Sequence, residues 1–182
     1  PSNAADAKRL LKMAIRDPNP VVFLEHKALY RQRVFCASPE PSEEELQAFG
    51  IAKYIRKGTD LTIVCWGMMV FMASQVADRL LQEGISVEVI DLRTIVPLDL
   101  DLIVQSIKKT GKLLIAHEAV RTCGFGAEVA ALIAEEAFDL LDAPIKRVTA
   151  KDCPVPYCKQ LEDAILPQIE DLEQAIRQLA QF

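Results

Sequence analysis

The sequence is poor in the features that would send it to a membrane or a nucleic acid. Its longest mostly apolar run, LTIVCWGMMVFMA at 61–73, falls short of the roughly 18 residues a spanning helix needs, and Gly67 interrupts it. Basic charge is in deficit: the formal net charge is −5 and the pI about 5.1, which argues against a nucleic-acid footprint. The opening PSNAADAKRLL has no apolar h-region, so no secretory leader is expected in it. Histidine occurs only twice. The five cysteines are an odd number without a close-spaced framework, which reads as free thiols in a reducing cytosol or organelle matrix. Cys153 and Cys158 form a C-x4-C spacing with two prolines between them and no second pair, so zinc is not expected. No internal repeat is present.

What is there describes a globular protein. Hydrophobic residues make up 51% of 182, enough for one ordinary domain with a sizeable core plus a fragment of another. AADAKRLLKMAI (4–15) reads as an amphipathic helix, with Ala7, Leu10, Leu11, Ala14 and Ile15 on one face and Ser2 or Asn3 as cap. Pro18 and Pro20 stop it. VVFLE (21–25) reads as a short buried strand, and residues 31–49, rich in proline, serine and acid, as a linker. From residue 50 the pattern is regular: strands at 60–67, 85–92, 112–118 and 145–150, and helices at 69–84, 99–111 and 126–141. A short helix, a stop at Pro167 and a final helix follow. Gly84 and Gly111 close two of the helices. This alternation predicts an α/β fold, a mostly parallel sheet covered on both faces in three layers.

In such a sheet, ligands sit at the carboxyl ends of the strands. Three stretches follow predicted strands, namely IDLRT, AHEAVRTCGFG and TAKDCPVPY, and they place Asp91, Arg93, His117, Glu118, Arg121, Asp152 and Tyr157 on one rim. GFGAEV has Val129 where a dinucleotide fingerprint needs its third glycine. The better reading is a sharp strand-to-helix turn with close helix packing, whose free N–H groups also offer an anion a place. His117 beside Glu118 suits catalysis, but no serine or cysteine nucleophile stands in fixed relation to it, and an orienting or interface role fits better. Arg93 and Glu118 are expected to pair across the rim. MMVF at 68–71 is expected to serve as core and subunit contact.

Taken together, NPVVFLEHKALYR, GTDLTIVCWG, VEVIDLRTIVPLD, KTGKLLIAHEAVRTCGFGAEVAA, IKRVTAKDCPVPY and LEDAILPQIEDL closely resemble the C-terminal part of the β subunit, or β half, of 2-oxo acid dehydrogenases. That family is the thiamine-diphosphate-dependent decarboxylase component of the pyruvate and branched-chain 2-oxo acid dehydrogenase complexes. The resemblance implies a transketolase C-terminal domain over 50–182, a linker at 31–49, and in 1–30 the last helix and strand of a truncated pyrimidine-binding domain. It implies oxidative decarboxylation of a 2-oxo acid and acylation of a lipoyl group on the partner acyltransferase. Thiamine diphosphate and magnesium are implied on the α part, with no catalytic or cofactor-binding residue in this stretch, so the isolated chain is expected to be inactive. The partners implied are the α subunit or α half, a second β copy and the subunit-binding domain of the acyltransferase, with contacts near MMVF and the helix ending at Phe182. Some family members hold a structural potassium ion, and Ala14, Asp17 and Asn19 fall on positions that contribute to it; a helix C-terminus suits a cation. The location implied is cytoplasmic, or the mitochondrial matrix in a eukaryote. Two other readings stay open: a deoxyxylulose-phosphate synthase or transketolase, and a stand-alone interaction module. The choice between pyruvate and a branched-chain substrate stays open too, with FLEHKALYRQ leaning to the latter.

Overall fold

A computed structural model describes residues 1–33 and 35–182. Helix α1 (Ala4–Arg16) begins at Asn3, whose Oδ1 accepts the Asp6 N–H at 2.9 Å. Capping by the asparagine side chain satisfies one of the four N–H groups that a helix start leaves open. Then follow β1 (Lys53–Arg56), β2 (Leu61–Cys65), α2 (Met68–Leu81), β3 (Val87–Asp91), α3 (Leu100–Thr110) and β4 (Leu113–Val120). The chain continues with α4 (Phe125–Glu136), β5 (Lys146–Ala150), α5 (Lys159–Ile165) and α6 (Ile169–Ala180).

The sheet has five strands in the order β1-β3-β2-β4-β5, with β1 antiparallel and the other pairings parallel. β2 shows why three layers form. Its residues are all buried, and they alternate between two cores: Leu61, Ile63 and Cys65 pack with Met69, Ala73, Leu172 and Ile176, while Val64 packs with Ile103, Ile107, Val129 and Ile133. Period-two alternation therefore feeds α2 and α6 on one face and α3 and α4 on the other. Thr62, buried on the α3 face, is bonded to Ser106 Oγ at 2.6 Å and Thr110 Oγ1 at 2.7 Å. The neighbouring buried carboxylate of Glu88 accepts from Ser106 Oγ at 2.5 Å, from Gly58 N–H at 3.2 Å and from Lys109. Burial of a carboxylate is tolerable when its oxygens are satisfied in this way. Gly84 (φ 85°) and Gly111 (φ 66°) occupy the left-handed region just past α2 and α3, as the turn out of a helix requires.

One expectation needs correction, and one strand goes unread in the sequence. The strand at 21–25 does not form; Val22 and Leu24 lie exposed in irregular chain. No described strand pairs with that stretch, and an apolar run without a hydrogen-bonding neighbour has no ladder to join. The first strand of the sheet is β1, whose KYIR sequence reads as polar because it is an edge strand. On α1, Leu10 is buried but Leu11 and Ile15 are exposed, so only part of its apolar stripe faces this sheet. Met69 and Val70 of MMVF belong to the core.

Candidate functional site

A cavity of about 660 Å³ opens at the carboxyl end of the sheet, between the 17–26 segment and the rim residues Trp66, Gly67, Arg93–Val96, Glu118 and Ala119. Its position follows from topology. The chain passes from β2 to β3 on one side and returns to β4 on the other, and a crevice forms at the carboxyl ends where the order switches.

β4 supplies two side chains with opposite fates. His117 is fully buried, its ring stacked on Trp66 at 5.2 Å between centroids. A Cβ on Gly126 would lie 2.4 Å from His117 Nε2, and one on Gly124 would lie 2.8 Å from Cε1. The turn therefore holds Gly126 because the imidazole lies against it, and Gly124 because the Val120 carbonyl, 2.2 Å from where a Cβ would stand, crowds it first. Neither ring nitrogen has a hydrogen-bond partner among the described residues. Burial holds the His117 pKa below the ordinary histidine value. The buried ring packs between Trp66 and the glycine turn.

The next residue, Glu118, faces the cavity and bonds His26 Nε2 at 2.5 Å. This bond to Glu118 raises the His26 pKa against partial burial. The pair is a polar clasp between the 20–26 segment and the rim. It is invisible in sequence because its partners lie 92 residues apart; its only signal was that His26 is one of two histidines.

At the end of β3, Asp91 is buried and accepts from Ser2 Oγ and from Arg93 N–H at 3.0 Å. Desolvation pushes its pKa up, with those two hydrogen bonds opposing. Arg93 does not pair with Glu118. It donates to Gln47 Oε1 at 2.8 Å, to the Ile51 and Ala52 carbonyls at 3.1 Å each, and to Asp6 Oδ1 at 3.4 Å. Arginine's fork reaches the nearer carbonyls and the buried Asp6, and so ties α1 and the linker to the rim. Beyond β5, Asp152 accepts from Thr122 N–H and Oγ1, both at 2.8 Å, and these bonds lower its pKa. Arg121 and Arg147 each donate to the other's backbone carbonyl. Tyr157 is fully exposed.

Ala14, Asp17 and Asn19 meet at the end of α1. Asp17 N–H donates to the Met13 and Ala14 carbonyls at 3.1 and 3.4 Å, and Asp17 Oδ1 accepts from Asn19 N–H at 2.8 Å and Nδ2 at 3.0 Å. Arg93 donates to protein acceptors through all three of its nitrogens, and no group of three His, Cys, Asp or Glu suited to a metal occurs among the described residues. No helix of the described residues is long and apolar enough to cross a membrane.

Comparison with known proteins agrees with this architecture. Residues 50–172 match the family described as "Transketolase, C-terminal domain". All of the chain aligns with 51% of the mitochondrial pyruvate dehydrogenase E1 component subunit beta of Dictyostelium discoideum, at 45% identity. It likewise aligns with 55% of the 2-oxoisovalerate dehydrogenase subunit beta of Bacillus subtilis, at 41% identity. The chain thus spans about half the length of these curated relatives. Among solved structures, a chain of a split-gene transketolase, an inactive β4 tetramer, superposes with a TM-score of 0.76 at 25% identity, covering all of this chain and 56% of that one.

Proposed function

The chain belongs to the transketolase C-terminal domain family, and from that premise we propose that it serves assembly in a thiamine-diphosphate-dependent 2-oxo acid dehydrogenase, as the C-terminal part of a β subunit. One observation carries the reading: apolar side chains bordering the cavity are left open to water. Val22 is 84%, Leu24 65% and Val96 81% exposed. A cluster of this kind beside a cavity marks a surface that another chain covers. The reaction proposed for the whole enzyme is oxidative decarboxylation of a 2-oxo acid with acylation of the acyltransferase's lipoyl group. Thiamine diphosphate and magnesium then belong to the α part, and this chain alone is inactive. The inactive β4 tetramer of the related split-gene transketolase supports that division.

Several finer assignments go with it. Residues 1–30 act as the end of a pyrimidine-binding domain, 31–49 as a linker and 50–182 as the C-terminal domain. The α subunit or α half covers the cavity border, with a second β copy and the subunit-binding domain of the acyltransferase on other faces. Exposed Phe182 and the terminal carboxylate offer that domain an apolar anchor and a charge. Ala14, Asp17 and Asn19 contribute oxygens to a potassium site, with further ligands from outside this chain. The location is the cytoplasm or the mitochondrial matrix. A transketolase-like enzyme of another kind is the alternative; identities of 41–45% to the dehydrogenase subunits against 25% to the split transketolase favour the dehydrogenase.

The test is co-elution with the α subunit of the same dehydrogenase in size-exclusion chromatography, followed by calorimetry with thiamine diphosphate and magnesium. We expect co-elution with the α subunit, and no cofactor binding by the lone chain. The Val22→Asp, Leu24→Asp double variant should lose the complex while keeping its thermal midpoint. Micromolar cofactor binding by the lone chain, or no complex with the wild type, sinks the proposal.

A further inference from the structure

Helix α1 carries a basic face at Lys8, Arg9 and Lys12, spaced to stand on one side of the helix. The acidic stretch PEPSEEE (39–45) lies along it as a strap. Lys8 Nζ donates to Glu40 Oε1 at 2.9 Å, to Glu43 Oε1 at 2.8 Å and to the Pro41 carbonyl at 3.2 Å, which uses all three of its protons. Lys12 Nζ donates to the Ser42 and Glu43 carbonyls, both at 2.9 Å. Arg9 reaches Glu45 Oε2 from Nε at 3.0 Å and from Nη2 at 2.6 Å. Glu45 in turn accepts the Ser42 N–H at 2.9 Å. Lys8, with Lys12 behind it, holds the Glu43 carboxyl below its usual range. Glu44, in the same run, makes no ion pair with these cations among the described residues.

The strap's place decides what it does. Leu10 stands about 200° round the helix from Lys8, is 2% exposed and lines the cavity. The strap therefore bears on the outer side of a helix whose inner side closes the cavity. Beyond α1 the chain runs on as the cavity wall, and both ends of this path are pinned. Ser2 on Asp91 and Asp6 on Arg93 fix the start; His26 on Glu118 and the buried Leu29 fix the finish. Between the pins, α1 is held by Leu10 inside and by the strap outside.

We propose that residues 39–45 are a charge-operated latch on the cavity wall. With the latch closed, α1 lies down on the cavity; with its charges screened or reversed, the wall between the pins bows outward and admits solvent to Trp66. The inference rests on contacts within this chain and not on the dehydrogenase reading. Screening separates latch from pins. The Glu40 and Glu43 side chains are 81% and 82% exposed, so their attraction fades as the Debye length falls from about 10 Å at 0.1 M salt to about 3 Å at 1 M. The Asp6–Arg93 pin is 1% and 8% exposed and is screened far less. One exposed pair holds little, but three cations bound by one strap act together.

The test is amide hydrogen exchange of the full chain at about 0.05 M and about 1 M sodium chloride, together with acrylamide quenching of Trp66, the single tryptophan, which lines the cavity. Acrylamide is uncharged, so salt does not steer it to the site. High salt should speed exchange at residues 10–16 by about tenfold relative to 61–65, and Trp66 quenching should rise in parallel. Lys8→Glu and Glu43→Lys should each show the fast exchange and the raised quenching already at low salt. The two together reverse the pair and should recover part of the wild-type protection. Glu44→Lys makes the same charge change on the strap outside the latch and should leave low-salt exchange near the wild-type rate. The wild-type salt series needs no variant, so it decides alone if a variant folds poorly. Exchange indifferent to salt, quenching that stays flat while exchange rises, a double variant no better protected than the singles, or Glu44→Lys as disruptive as Glu43→Lys overturns the proposal.

Discussion

Two five-residue stretches of like character, LTIVC at 61–65 and VVFLE at 21–25, stand in opposite surroundings. The first is β2, paired with β3 and β4 and closed between two helical layers, with no residue reaching water. The second runs past the rim without a ladder, and two of its apolar side chains are largely exposed. Apolar character alone does not make a strand; neighbours on both edges do, because each backbone N–H and C=O must find a partner. A stretch with strand chemistry and no strand neighbour is a surface in search of one, and that is why the second stretch, not the first, bears on function.

The comparison is broken most forcefully by substitution. Ile63→Ala removes a core side chain that cannot be replaced by water and should cost about 2–5 kcal/mol in urea denaturation. Val22→Ala should stay within about 0.5 kcal/mol in the same experiment. Equal losses would mean that the 21–25 segment is as much a part of the free fold as β2 is.

Gly126→Ala probes the rim between them. The new methyl meets the His117 ring, so we expect a loss of about 1–3 kcal/mol. Pairing it with His117→Ala should recover much of that loss, and simple additivity of the two variants would show that the ring is not the obstacle.

The two histidines sharpen the contrast through pH, with opposite signs. His117 has a lowered folded pKa, so the unfolded chain binds its proton first as pH falls below about 6.5. Stability should therefore be complete above that value and drop on acidification, by up to ~1.4 kcal/mol per pH unit, until the lowered pKa is passed. His117→Leu should flatten this dependence. His26 has a raised folded pKa, so its clasp with Glu118 is complete below about 6.5 and weakens as pH rises through the raised value. That effect is the smallest, at most about 1 kcal/mol, because the pair is partly solvated. The His26 ring titration followed by NMR should return toward the ordinary value in Glu118→Gln, and an unmoved midpoint would remove Glu118 as its cause.

Most of the fold was legible because its signals are local. Leu61, Ile63 and Cys65 against Val64 show strand alternation, Asp99 and Gly111 bracket α3, and the GFG turn shows close packing; each can be read within a few residues. β1 leaves little trace in the sequence because an edge strand buries little, and 21–25 looks like a strand because hydrophobicity says nothing of whether a neighbour exists. The site was less legible still. The rim residues Asp91, Arg93, His117 and Glu118 were correctly gathered at the carboxyl ends, but their partners are Ser2, Asp6, Trp66 and His26, supplied by tertiary placement. A guanidinium or carboxylate takes whichever partner lies nearest in space, and spacing along the chain does not record that.

The most direct measurement is amide hydrogen exchange at residues 21–25 and 61–65, in the free chain and after adding the α subunit of the dehydrogenase. The account predicts fast exchange at 21–25 and slow exchange at 61–65 in the free chain, with strong protection appearing at 21–25 when the α subunit is present. Slow exchange at 21–25 in the free chain, or fast exchange there that the α subunit leaves unchanged, would contradict it.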